Sequence, residues 1–438
     1  MSNLELGFWS FPVLLLMVFL RAPIGLAMLL CGFGGWFMAM GGNPTPLLAK
    51  LKSETYTTFS SYSLTIIPLF LLMGQFATLS GMSQALFRAA ESFLGHRRGG
   101  VAMAAVGACA GFGAICGSSL ATAATMSKVA LPELRRYGYS GGFSTATLAA
   151  GGTLGILIPP SVILVIYAIL TEQNIAKLFL AAFIPGILAA LGYVLTISIY
   201  VRLHPDAAGT RPPVPMADRF RALGATWPVL VIFLVVVGGI YLGWFTPTEG
   251  AAVGAAGTGL AALLRGSLGW HVLKQSLIGT ARTTAMIFFI VLGASFYNGF
   301  LALSGVPQYM ADWVVTQGYS PWLVLSIILV FYLIFGCLMD SLSMILLTVP
   351  IFFPVISAMD FGMTPEQVAI WFGILVLIVV EVGLITPPVG MNLFIINSMD
   401  RQTPMTQTYK AVMYFVGSDL VRVVILVMFP SITLFLLS

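Results

Sequence analysis

Asp340 is an acidic residue inside the apolar run FGCLMDSLSMILL, where Ser341 and Ser343 follow it. An aspartate at the centre of a bilayer costs about 2.5–3.5 kcal/mol on insertion scales, so a functional role is the default interpretation. Hard cations prefer oxygen ligands, and Asp340 with Ser341 could therefore bind sodium. If the apolar span ends at this point, Asp340 lies in water and needs no such role.

A second group of hydroxyl residues occurs in AICGSSLATAATMS, which contains Gly117, Ser118 and Ser119. Glycine commonly ends a helix and serine commonly caps the next one, which predicts a helix–turn–helix hairpin with the serines at its tip. The tip could offer hydroxyl and backbone oxygens to a cation. Alternatively, the small residues only permit close helix packing, and the serines bond to their own helix.

Two apolar segments share the pattern Gly-x-x-x-Pro-Pro, namely GTLGILIPPSV around Gly155 and EVGLITPPVGMN around Gly383. Proline inside a helix costs about 3 kcal/mol or more. Interrupted backbone at membrane depth is tolerated where protein or a water-filled cavity supplies partners. A proline kink relieved by neighbouring helices is the other interpretation. The polar residues beside the interruptions could line a substrate path, and they are Thr153, Ser161, Glu381, Thr386 and Asn392.

The elements that position these residues must be membrane helices. Of 438 residues, 59% are hydrophobic and 8% charged, against roughly 25% charged in soluble domains. Several stretches are long enough to cross a hydrocarbon core of about 30 Å, which predicts an all-α polytopic membrane protein. They are 4–20, with Glu5 alone, and the uncharged segments 22–49, 228–248, 283–311 and 320–339.

The charges indicate topology rather than a nucleic-acid partner. The net charge is +5, yet no Lys or Arg occurs in 283–400, so the basic clusters elsewhere are predicted to face the cytoplasm.

The polar, proline-rich stretch 204–220 is predicted to link two halves. Segments 83–98 and 263–282 are predicted to be interfacial amphipathic helices or ordinary connectors. The four cysteines lie in apolar segments and suggest neither a metal site nor disulfides.

Matching motifs recur in the same order in both halves. Ser341 follows Ser119 by 222 positions, and Gly383 follows Gly155 by 228. Paired interrupted segments in two halves are typical of transporters. We therefore predict two repeats, 1–220 and 221–438, which are inverted if each contains an odd number of crossings.

Four motifs, GSSLATAAT, GGTLGILIPPS, TPTEGAA and EVGLITPPVGMNLF, resemble the large membrane subunit of TRAP (tripartite ATP-independent periplasmic) transporters. The resemblance extends from about Arg21 to the C-terminus. It implies an elevator-type fold with inverted repeats. Re-entrant hairpins are expected at about 100–137 and 320–360, and discontinuous helices at about 140–175 and 366–400.

The resemblance also implies sodium-coupled uptake of a small organic acid, such as a C4-dicarboxylate or sialic acid, across the bacterial inner membrane. A periplasmic binding protein and a separate four-helix membrane subunit are the expected partners, with no cofactor beyond sodium and no ATPase on this chain. Sodium ligands are expected among Ser118, Ser119, Gly152, Thr153, Gly155, Gly336, Asp340, Ser341, Gly383 and Thr386. Substrate contacts are expected from Gly117, Ser161, Glu381, Pro387 and Asn392.

Other functions are open at this stage. A stand-alone sodium/divalent-anion symporter would have a similar fold and need no binding protein, and a passive channel is also compatible with the sequence. An intramembrane enzyme is disfavoured because no His-Glu-x-x-His motif occurs, and because Gly-x-Ser-x-Gly around Ser140 lacks a preceding strand. No Walker A lysine follows a glycine, so we expect no ATP-driven chemistry on this chain.

Overall fold

The structure is a computed structural model that describes residues 2–437, and the regular structure within that range is helical. The first half contains α1 (Asn3–Phe19), α2 (Ile24–Ala39), α3 (Pro44–Ser60), α4 (Ile66–Leu79), α5 (Met82–Leu94), α6 (Gly100–Cys116), α7 (Ser119–Arg136), α8 (Gly141–Leu157), α9 (Val162–Thr171) and α10 (Ile175–Leu203).

The second half contains α11 (Met216–Gly224), α12 (Trp227–Tyr241), α13 (Pro247–Leu264), α14 (Trp270–Ser304), α15 (Val306–Thr316), α16 (Pro321–Gly336), α17 (Ser341–Ser357), α18 (Pro365–Gly383), α19 (Met391–Met399), α20 (Met405–Met428) and α21 (Pro430–Leu434).

Helix length and composition agree with a multi-pass membrane protein. Within residues 2–437, four helices are long and apolar enough to cross a membrane, and up to seven spans result if each bent helix pair is one span. The four are α10, α14, α18 and α20. The all-helical, polytopic part of the prediction is therefore confirmed.

The same order of elements occurs in both halves. A helix pair with a short turn (α6 and α7, then α16 and α17) precedes an interrupted helix (α8 and α9, then α18 and α19) and a long helix (α10, then α20). We call α6–α7 hairpin 1 and α16–α17 hairpin 2. The helix α8 bends by 45° into α9 across residues 158–161. Packed helices joined by such short turns run back along one another.

The helices pack in two sets. Helix α8 packs against α6, α7, α10 and α20, whereas α18 packs against α16, α17, α10 and α20. In the other set, α14 packs along α2 and α4, and α13 packs along α4 and α12. The hairpins and interrupted helices thus form one bundle, which borders a second bundle built around α14.

One expected amphipathic helix has different bounds in the structure. Segment 83–98 corresponds to α5, but 263–282 is not a separate helix. Helix α13 ends at Leu264, and Trp270 begins the 35-residue helix α14. No proline interrupts 270–304, so nothing ends the helix at the predicted boundary.

The segment 204–220, which was predicted to link the two halves, packs against α5 of the first half. The Arg211 amide donates to the Gly95 carbonyl at 3.0 Å, and the Arg211 Nη1 lies 2.9 Å from Glu91 Oε2 on α5. Burial raises the pKa of the Glu91 carboxyl above its ordinary value, although Arg211 acts in the opposite direction. Arg211 is thus the ion-pair partner of the buried Glu91 carboxylate, and Arg88 and Arg136 act on that carboxylate in the same direction from farther away.

Arg211→Ala is expected to destabilise the chain by about 3 kcal/mol at pH 8, because it leaves a buried carboxylate unpaired. Since the folded-state pKa of Glu91 is raised, its ionisation cost is absent at low pH and appears as the pH rises through that pKa. The loss should therefore shrink at pH 4.5 when unfolding is followed by SDS titration. The matched control is Arg221→Ala, because the Arg221 pair with Asp218 is exposed and should contribute under about 1 kcal/mol. Equal losses for Arg211→Ala at both pH values would contradict this account.

Candidate functional site

The return helices of both hairpins begin with a side-chain cap. Gly117 ends α6 with φ +62°, and the Ser118 hydroxyl caps α7 by accepting from the Ala121 amide at 3.4 Å. In hairpin 2, Asp340 caps α17: its Oδ2 accepts from the Ser343 amide at 3.1 Å. Ser118 and Asp340 therefore occupy equivalent cap positions, and each satisfies backbone donors at a helix start.

A buried carboxylate joins the first residues of both hairpin return helices. Ser341 Oγ donates to Glu381 Oε1 at 2.6 Å, and Ser119 Oγ lies 3.5 Å from the same oxygen. All three side chains are buried, and Glu381 is 0% exposed. Within the described chain, Glu381 Oε2 has no hydrogen-bond partner. A charge buried with incomplete pairing is costly, so this oxygen is available to a ligand that supplies positive charge or a proton.

A cavity of about 140 Å³ lies between the hairpin tips and the second bundle. The hairpin bundle contributes both hairpin tips and the start of α9 to its lining, namely Gly117, Ser118, Ser119, Asp340, Ser341, Val162 and Ile163. The second bundle contributes Leu71 of α4 and Thr283, Met286 and Ile287 of α14. The cavity is thus bounded by both helix bundles.

Glycine pairs allow each hairpin to approach its interrupted helix. A Cβ on Gly113 would lie 2.4 Å from the Gly155 Cα, and a Cβ on Gly383 would lie 2.6 Å from the Gly336 carbonyl carbon. A Cβ on Gly152 would meet Ala123 Cβ at 2.6 Å. Gly152, Gly155, Gly336 and Gly383, expected as sodium ligands, thus lie at backbone contacts between hairpin and interrupted helix.

Other predicted residues lie outside the tip region or have local partners. Thr153 is buried against Tyr193 of α10, with 2.9 Å between the two oxygens. The Thr386 hydroxyl donates to the Val382 carbonyl, and Ser161 caps α9 by accepting from the Leu164 amide. The Asn392 amide donates to the Ala149 carbonyl at 3.3 Å and so joins α19 to α8. Pro387, half-buried, forms a cis peptide bond with Pro388, as Pro159 does with Pro160.

Sequence reasoning missed three buried polar residues on the helices that pack against α8: Tyr193 on α10, and Asp419 and Arg422 on α20. Tyr193 donates to Asp419 Oδ2 at 2.7 Å, and Arg422 Nη2 lies 2.9 Å from Asp419 Oδ1. The available signal was the segment VGSDLVRVV, in which opposite charges three positions apart lie in an apolar run.

Comparison with known proteins relates the chain to a transporter family. The family model described as tripartite ATP-independent periplasmic transporter, DctM component, matches residues 11–432. The chain is 37% identical over 387 residues to the C4-dicarboxylate TRAP transporter large permease protein of Pseudomonas aeruginosa, covering 88% of each. It is 30% identical over 381 residues to the sialic acid TRAP transporter large permease protein of Vibrio cholerae, covering 86% of each.

The fold is also similar to that of a solved structure. The YdaH transporter of Alcanivorax borkumensis superposes with a TM-score of 0.60, covering 87% of this chain and 88% of that chain. The sequences are 14% identical, so this similarity concerns the fold alone.

Gly113→Ala is expected to destabilise the chain by about 1–3 kcal/mol, because the new methyl group meets backbone atoms that must shift. The matched control is Gly107→Ala in the same helix, where a Cβ meets nothing within 4 Å and should stabilise by about 0.5–1 kcal/mol. Detergent-solubilised protein unfolded with SDS provides the measurement. If both variants shift stability in the same direction, the close contact with Gly155 is not what positions hairpin 1.

Proposed function

Because the chain belongs to the TRAP transporter large permeases, we propose that it is the subunit that carries out sodium-coupled uptake of a small organic acid. TRAP large permeases work with a small permease protein and a periplasmic binding protein. We propose that both are separate chains here, that the membrane is the bacterial inner membrane, and that the substrate is a C4-dicarboxylate, sialic acid or a similar carboxylate.

The observation that carries the proposal is that both hairpin tips line one cavity, and that the tip residues Ser119 and Ser341 also contact the buried Glu381 carboxylate. Ser119 and Ser341 reach the same carboxylate oxygen from two hairpins. Sodium prefers hydroxyl, carboxylate and carbonyl oxygens, and all three occur at the tips. Glu381, expected from sequence to contact substrate, is better suited to a cation, because its charge would repel a carboxylate.

The anionic substrate has a different set of partners at the cavity. The N-terminal ends of α7, α9 and α17 all reach its lining, at Ser119, Val162 and Ser341. Helix N-termini carry partial positive charge, which favours anions. Bound sodium would reduce the negative potential of Glu381 and Asp340 and thereby favour entry of the acid.

The repeated order of elements supports inverted repeats and an elevator motion as part of this proposal. The cavity lies at the boundary between the hairpin bundle and the bundle around α14. Movement of the first bundle past the second would carry a ligand at the tips across the membrane. Each sodium charge that moves inward contributes about 2.3 kcal/mol per 100 mV of membrane potential, which offsets uphill movement of the acid.

The decisive experiment is uptake by the complete complex in vesicles, with candidate acids, with and without the binding protein, and with and without a sodium gradient. We expect uptake only when both the binding protein and the sodium gradient are present. Uptake that needs sodium but no binding protein would instead identify a stand-alone symporter. Uptake that is indifferent to sodium would remove the coupling ion from the proposal.

Glu381→Gln is expected to raise the sodium concentration for half-maximal uptake by at least about tenfold, or 1.4 kcal/mol, because the amide keeps the volume and loses the charge. The control is Glu249→Gln, since Glu249 closes a capping box with Thr246 at the start of α13 and Gln also fits that motif. A sodium titration of Glu381→Gln that overlays the unsubstituted chain would exclude this carboxylate from cation binding.

Asp340→Asn separates the capping role of Asp340 from its charge. Asn and Asp are similar N-cap residues, so the start of α17 should remain intact and the melting temperature should stay close to that of the unsubstituted chain. If Asp340 contributes to sodium binding, sodium-dependent uptake falls and half-saturation moves to higher sodium. Unchanged uptake with unchanged sodium dependence would restrict Asp340 to helix capping.

A further inference from the structure

A chain of buried polar side chains joins the first interrupted helix to α10 and α20. Thr153 of α8 contacts the Tyr193 hydroxyl at 2.9 Å, and Tyr193 contacts Asp419 Oδ2 at 2.7 Å. The Arg422 guanidinium lies 2.9 Å from the other Asp419 oxygen. All four residues are at least nine-tenths buried, so none is a solvated surface group.

The direction of the hydrogen bonds follows from their chemistry. An ionised carboxylate only accepts, so the Tyr193 hydroxyl must donate its single proton to Asp419. The Thr153 hydroxyl has one proton, which is then shared between two acceptors, the Tyr193 oxygen at 2.9 Å and the Ala150 carbonyl at 2.7 Å. Arg422 supplies the counter-charge that a buried carboxylate requires. The charge pair on α20 thus orients Tyr193, and Tyr193 orients Thr153.

The network holds a face of α8 that hairpin 1 does not cover. Gly152 and Gly155, three positions apart, contact α7 at Ala123 and Thr122, whereas Thr153 is turned by about 100° from Gly152 and contacts α10. Rotation of α8 about its axis would separate Thr153 from Tyr193. It would also separate Gly155 from Ser118, whose carbonyl oxygen is 2.8 Å from the position of a Gly155 Cβ.

We propose that Tyr193, Asp419 and Arg422 are positioning residues that fix the rotation of α8 through Thr153 and thereby set the cation affinity at the tip of hairpin 1. The sodium part rests on the proposed function. The geometric part does not, because it concerns how firmly α8 is held whether or not an ion binds. Neither the mid-bundle Tyr193 nor the charge pair on α20 lines the cavity, so the effect on the site is indirect.

Tyr193→Phe tests the proposal with the least disturbance, because it removes one hydroxyl and keeps the ring that packs edge-on against Phe415. The control is Tyr200→Phe, on the same helix, where the ring stacks on Phe143 and the hydroxyl is outside the network. A second variant, Asp419→Asn, removes the charge with little change of shape. Two measurements apply to each variant: the sodium dependence of uptake by the complete complex, and hydrogen exchange of residues 152–165 in nanodiscs without sodium.

For Tyr193→Phe and Asp419→Asn we expect half-saturating sodium to rise about tenfold, the maximal rate to stay within about twofold, and amides of 152–165 to exchange faster. Tyr200→Phe should match the unsubstituted chain. Variants of Tyr193 and Asp419 that match Tyr200→Phe in both measurements would overturn the proposal. If uptake by the unsubstituted complex ignores sodium, the coupling proposed above fails, and the exchange of 152–165 alone decides whether the network positions α8.

Discussion

The buried carboxylate of Glu381 constrains the whole arrangement of hairpins and interrupted helices. It lies on α18, just before an interruption, and it is reached by the first residues of α7 and α17. A carboxylate in an apolar bundle is costly unless donors or a cation surround it. Two hydroxyls from separate halves of the chain provide part of that surrounding. The two hairpins therefore have a common polar partner, and a ligand that changes the charge at Glu381 acts on both.

Close backbone contact is what brings the hairpins to this carboxylate. In each half a glycine of the hairpin faces a glycine of the interrupted helix, Gly113 with Gly155 and Gly336 with Gly383. Small residues let helix backbones approach within membranes, where van der Waals packing replaces the hydrophobic drive. At the tip itself, Gly117 adopts φ +62°, a conformation open to glycine. Close backbone contact and the turn at Gly117 thus explain why the motifs are rich in glycine.

Sequence reasoning reached the local features and missed contacts between distant segments. Turn chemistry predicted that α6 and α7 meet at Gly117 and Ser118, because Gly and Ser mark helix ends. The pairing of Glu381 with Ser119, 262 positions away, has no local signal, since it depends on how the two halves pack. The contact of Thr153 with Tyr193, rather than with the hairpin tips, also depends on long-range packing and has no local signal in the sequence. The predicted amphipathic helix over 263–282 had the wrong bounds, because its polar residues suggested an end near Arg282, whereas α14 continues from Trp270 to Ser304.

The buried charges also limit what the hairpin bundle can carry. Glu381 and Asp419 are acidic and Arg422 is basic, and all three are buried in the same bundle, where a further buried acid, Asp400, is balanced by Arg135. With the acids ionised these residues sum to one negative charge, and one bound monovalent cation brings the sum to zero. Moving uncompensated charge through a bilayer is expensive. An acid that enters the cavity must then be balanced by further cations or by the helix N-termini around it. The proposed coupling to sodium is one way to supply that compensating positive charge.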